Sequence, residues 1–86
     1  MKEFKDLEFK DLPDYRGIQC RIQFENGFGA SVIRHEHTYG GKDGLYELAV
    51  LDSEGEITYD TPVTDDVVGY LNEEGVTELL KEIQLL

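Results

Sequence analysis

The chain has 86 residues, with nineteen Asp/Glu against eight Lys/Arg, a formal net charge of −11 and one cysteine. A chain this short forms one domain and buries only about 60–65% of the surface its unfolded form exposes, which argues against a deep enclosed catalytic cavity. The lone Cys20 excludes an intramolecular disulfide and a cysteine-based zinc site, and the carboxylate surplus argues against direct contact with nucleic acid or membrane headgroups.

The charge is unevenly placed. Residues 1–16 carry a net charge of −1, residues 17–44 are balanced, and residues 45–86 hold eleven acids against Lys81 alone, a net −10. Such a surface attracts basic partners, including proteins that themselves bind DNA or RNA. The longest unbroken apolar run is Leu48–Leu51, and the opening MKEFKDLEFKDL has no apolar core segment. Neither a transmembrane helix nor a signal peptide is expected, and the cytosol is the expected compartment.

Residues 1–16 repeat Phe-Lys-Asp-Leu at 4–7 and 9–12 without a clean period. They read as a partly extended arm that lays Leu7, Phe9 and Leu12 on the domain, ended by a turn at Pro13, Asp14 and Gly17. From Gly17 to Glu25, Ile18, Cys20, Ile22 and Phe24 alternate with polar residues, the pattern of a strand with one wet face. Asn26-Gly27 then predicts a two-residue hairpin turn into a strand from Phe28 to about His35. That register pairs Phe24 with Gly29 and Ile22 with Ser31, and it places Phe28, Ala30 and Val32 on the opposite face, free for the arm or a second subunit.

Arg34–Gly44 is polar and glycine-rich, and reads as a long connecting loop. In Gly44–Leu51 both alternating sets of side chains are largely apolar, with Glu47 the single charge, as expected of a central strand covered on both sides. A tight turn at Asp52–Gly55 leads to a short strand over Glu56–Asp60. Thr64-Asp65-Asp66 resembles an N-cap with first-turn carboxylates, which predicts a short helix near 65–70. Val76, Leu79, Leu80 and Ile83 form the stripe of a second helix over about 73–85. The expected fold is one α+β domain over residues 1–86. It comprises an arm (1–16), an antiparallel β-meander of about four strands (17–60) and, within 64–85, two C-terminal helices covering one face.

Candidate chemistry is sparse. His35 and His37 would point the same way on a strand end and could hold a metal, but a catalytic zinc needs a third ligand. Two solvated loop histidines are the simpler reading, so no metal or other cofactor is expected. Asp52, Glu54, Glu56, Asp60, Asp65 and Asp66 form an acidic series explained by turns and caps rather than by a calcium loop. Tyr39, Lys42 and the amides of Gly40 and Gly41 could grip a small anion, although the glycines match no phosphate-loop fingerprint. Cys20 faces the core and Ser31 has no motif around it, so nucleophilic catalysis has no support.

The segments FENGFGASVI, the YGG loop, GLYELAVL and YDTPVTDDVVGYL, followed by an acid-rich helix, resemble a set of small bacteriophage proteins. The resemblance spans roughly residues 17–85, implies action in the cytoplasm of an infected bacterium, and transfers no catalytic residue. The expected function is non-enzymatic: binding a host protein with a basic surface, a nucleic-acid-binding or defence component, and inhibiting or redirecting it. The alternative is an oligomeric binder of a nucleotide-like ligand, closed by the Arg34–Gly44 loop and the Phe28/Ala30/Val32 face, through which the chain would also self-associate. The contact residues expected are Arg34, His35, His37, Tyr39 and Lys42 on the loop, with Asp52, Glu54, Glu56, Asp65 and Asp66 beyond it.

Overall fold

The alternating segment after Gly17 and the apolar run at 46–51 become inner strands of one antiparallel sheet, whose five strands lie in chain order. The computed structural model describes residues 1–64 and 66–86, so the predicted contact residue Asp65 lies outside the described residues. The strands are β1 (Lys10–Leu12), β2 (Gly17–Gln23), β3 (Gly29–Arg34), β4 (Tyr46–Leu51) and β5 (Val68–Leu71), and helix α1 (Glu73–Gln84) follows. The α+β architecture with a covering C-terminal helix is present, and among the described residues it has five strands instead of about four and one α-helix instead of two. Among the described residues no helix is long and apolar enough to cross a membrane.

The helix forms where its stripe required. Asn72 caps it by accepting from the Gly75 N–H at 2.7 Å, Glu73 and Glu74 lie in its first turn and Lys81 in its last. Val76, Leu80 and Ile83 press on Ala30, Val32, Tyr46, Leu48 and Val50 to make the core. Each such aliphatic side chain contributes roughly 1.5–3 kcal/mol by leaving water. Phe4, Leu7 and Phe9 pack at the edge of this core, and Phe4 and Phe9 meet the Tyr46 ring at 5.1 and 5.6 Å between centroids. The segment read as an arm is therefore structured: Phe4–Asp6 is a 3-10 turn, and β1 pairs Lys10–Leu12 with Gly17–Gln19.

The hairpin register differs from the predicted one by a residue. Gln23 pairs with Gly29, Ile22 with Ala30 and Cys20 with Val32, because the loop has three residues, Glu25–Gly27, with Gly27 left-handed at φ 88°. Asn26 decides this. Its side-chain amide donates to the carbonyls of Ile83 (2.8 Å) and Leu86 (3.3 Å) at the end of α1, while its Oδ1 accepts from the Phe28 N–H at 3.1 Å. A one-residue slip moves every side chain to the other face. Phe28, Ala30 and Val32 thus share the helix-covered face with Ile18, Ile22 and Phe24. Ala30 and Val32 are fully buried there, so the predicted self-association face is part of the core.

Two further expectations change. Glu56–Asp60 makes only a bridge, Leu51 to Ile57, with the Thr58 N–H donating to the Val50 carbonyl. The outer edge of β4 from Tyr46 to Leu48 is occupied by β5, which leaves little edge for another strand. The expected helix at 65–70 is replaced in part by β5, since β-branched Val67 and Val68 beside Gly69 favour extended chain and so short a helix is marginal. The Thr64 hydroxyl accepts from the Asp66 N–H at 3.0 Å, and Val68–Leu71 continues as strand rather than helix.

Candidate functional site

The loop from His35 to Leu45 closes one end of the sheet beside β5, and internal hydrogen bonds give it a definite shape. The Thr38 hydroxyl accepts from the His35 N–H at 3.1 Å, the Gly41 N–H donates to the Thr38 carbonyl at 3.0 Å, and the Leu45 N–H donates to the Gly40 carbonyl at 3.0 Å. The Gly41 amide is therefore engaged, contrary to its expected availability for an anion. The Tyr39 N–H donates to Glu47 Oε2 at 3.0 Å, and the Tyr70 N–H donates to the Tyr39 carbonyl at 3.1 Å. These two bonds tie the loop to β4 on one side and to β5 on the other.

The predicted loop residues divide by role. Arg34 turns inward: its guanidinium lies 4.9 Å from the Tyr46 ring centre and donates to the Tyr46 hydroxyl at 3.1 Å. His35 stacks on Tyr15 at 5.2 Å, and its Nδ1 accepts from the His37 N–H at 3.0 Å. That bond occupies one ring nitrogen, and β3 has already ended at Arg34, so the two histidines do not project as a strand pair. His37 is exposed 3.4 Å from Glu36. Among the described residues no three His, Cys, Asp or Glu side chains converge as a metal site would require. Tyr39 and Lys42 point into solvent.

The acidic half of the predicted set lies elsewhere. Asp52 Oδ1 accepts from the N–H groups of Glu54 (2.9 Å) and Glu56 (3.0 Å), so Asp52 holds its own turn together. Asp66 accepts from the Val67 N–H at 2.7 Å. Glu54 and Glu56 are exposed. The turn at Asp52 and the loop at Arg34–Lys42 sit at opposite ends of β4, about 17 Å apart by strand rise, so they form no common site. The alternative ligand pocket loses its other wall as well, because Ala30 and Val32 are covered by α1. Cys20 is 5% exposed, and burial pushes its thiol pKa up, which suits a core residue rather than a nucleophile.

Two groups that sequence patterns did not single out now join the loop. Tyr15 sits in the β1–β2 turn against His35, and Tyr70 lies on β5 beside Tyr39. The Tyr39 and Tyr70 rings are 6.4 Å apart with 27° between their planes, and they are 59% and 65% exposed. Tyr70 adopts a left-handed backbone at φ 57°, where β5 bulges between its pairings Tyr46–Leu71 and Leu48–Val68. A bulge of this kind re-aims a side chain, and a non-glycine residue in the left-handed region costs about 1–2 kcal/mol. Gly69 is needed at its place because a Cβ there would collide with the Tyr39 side chain. The N-cap signal at Thr64 assigns Tyr70 to the expected short helix, and only the pairing of β5 with β4 turns it toward the loop.

A shallow groove of about 950 Å³ also runs between the N-terminal turn and the β2–β3 hairpin, lined by Lys2, Asp6, Phe24 and Glu25 among others. On the face of the sheet away from α1, Arg21 donates to the Gly55 carbonyl at 3.0 Å and Gln23 to the Asp52 carbonyl at 3.1 Å, which draws these side chains toward the Asp52 turn. Comparison with protein-family profiles, with curated proteins and with solved structures finds no match.

Proposed function

We propose that the chain is a phage-encoded, non-enzymatic binding protein that acts in the cytoplasm of an infected bacterium by gripping the basic surface of a host protein and inhibiting or redirecting it. The observation that carries this reading is the unneutralised carboxylate surface. Nineteen acids face eight bases, and among the described residues only Glu3 has a lysine ammonium within 4.0 Å, while Glu36 has the His37 imidazole at 3.4 Å. On α1 the exposed Glu74, Glu78 and Glu82 follow one another at four-residue spacing, so like charges stack along one line of the helix. That repulsion is a standing cost to folding, and a cationic partner relieves it while its approach is steered by the field. The phage assignment is supported by the NG-GASV, YELAVL and YDTP-TDDV-GYL segments.

The test is retention of a host protein from bacterial lysate on the immobilised chain. One dominant basic protein is expected to stay bound at moderate salt and to elute at high salt, since screening weakens exposed charge contacts. Replacing Glu74, Glu78 and Glu82 together by lysine is expected to weaken binding roughly tenfold or more. No retention at low salt, or retention indifferent to the charge reversal, would sink the proposal.

A further inference from the structure

At the Tyr39–Tyr70 corner the chain spends backbone strain to hold two large rings in water. Tyr70 keeps a left-handed φ of 57° at a bulge, Gly69 clears space for Tyr39, and the Tyr39 and Tyr70 N–H groups donate to the Glu47 carboxylate on β4 and to the Tyr39 carbonyl. Strain of this sort persists where surrounding structure over-determines it, and at an exposed side chain the gain is a presented surface rather than a packed one. One carboxylate is in direct contact with the pair: Glu47 accepts from the Tyr39 N–H at 3.0 Å, and exposed Asp43 lies in the same loop. Lys42 and His37 are the basic groups on the exposed part of this loop, and Arg34 is turned inward onto Tyr46.

We infer that Tyr39 and Tyr70 form an arginine-selective docking platform, on which a guanidinium of the basic partner stacks against tyrosine while flanking carboxylates accept its N–H groups. This rests on the reading that the partner is cationic, and adds both the place and the residue type. The aromatic faces select the flat, weakly hydrated guanidinium over the compact, strongly hydrated ammonium of lysine, while the carboxylates attract either cation. The Arg34–Tyr46 contact inside the protein is the same pairing in miniature.

The experiment titrates the whole chain with an oligoarginine and an oligolysine peptide of equal length, following backbone amide shifts and affinity. Oligoarginine is expected to bind roughly two- to fivefold tighter per engaged side chain and to move the signals of Tyr39, Gly69 and Tyr70. Tyr70→Gly, which suits the left-handed backbone and so keeps the fold, and Tyr39→Ala are each expected to erase the arginine preference while leaving oligolysine affinity unchanged. If both peptides bind equally and neither variant matters, the platform is overturned while the acidic-surface reading stands. If neither peptide binds at low salt, both fall. An oligoproline peptide that shifts the same tyrosines when oligoarginine does not also overturns it.

Discussion

The sheet beneath α1 and the corner at Tyr39 and Tyr70 are organised by opposite means. Under the helix, Ala30, Val32, Leu48 and Val50 meet Val76, Leu80 and Ile83 with no exposed surface, and apolar burial alone explains the arrangement. At the corner, two rings of larger area stay more than half in water, positioned by a bulge, a left-handed tyrosine and hydrogen bonds to Glu47 and to the Tyr39 carbonyl. Shape is held there without burial, at a cost in strain, whereas under the helix shape and burial coincide. The contrast separates side chains that stabilise the fold from side chains that the fold presents.

Three substitutions sharpen that contrast. Leu80→Ala, at the centre of the covered face, is expected to lower stability by about 2–5 kcal/mol through lost transfer energy and a residual cavity, read as a fall in the urea midpoint. Values under 1 kcal/mol would mean that α1 does not carry the core.

Asn26→Asp comes next. At neutral pH it sets a carboxylate against the Ile83 and Leu86 carbonyls and the negative end of the helix, replacing two donated bonds by repulsion, with an expected loss of about 1–3 kcal/mol. Protonation restores a donor, and because the repulsion raises the folded-state carboxyl pKa above its unfolded value, the gap to the parent chain is expected to shrink as pH falls through that raised pKa and to level off below about 4. Amide exchange at residues 83–86 is expected to quicken before the rest of the helix.

The smallest effect belongs to the corner. Tyr70→Gly removes the left-handed strain and the ring together, and is expected to leave stability unchanged or raise it by up to about 1 kcal/mol in thermal melts. A clear loss would show that the tyrosine is a packing residue and would erase the distinction between the two regions.

Local patterns located the parts that burial governs. The two-sided apolar run at 46–51 is the nearly fully buried strand β4, and the stripe of Val76, Leu80 and Ile83 is the covering face of α1. They failed where a partner far along the chain decides the outcome. Asn26-Gly27 favours a two-residue turn by itself, but the carbonyls of Ile83 and Leu86 recruit the Asn26 amide, and the loop takes a third residue. Val67–Tyr70 follows a helix-start signal, yet the open edge of β4 claims Val68–Leu71 as a strand. Of the expected contact residues, Tyr39 stands at the exposed corner, Arg34 and Asp52 serve local structure, and Tyr70 was concealed by the helical reading of its segment.

By itself, then, the order of residues determined an acidic α+β domain with an antiparallel sheet, its most buried strand and the apolar stripe that covers it. These follow from side-chain periodicity and charge, which act over a few neighbours. Tertiary structure alone decided the hairpin register, the fifth strand and the meeting of Tyr39 with Tyr70. Each depends on hydrogen-bonding groups dozens of residues apart finding partners, and no local pattern carries that information.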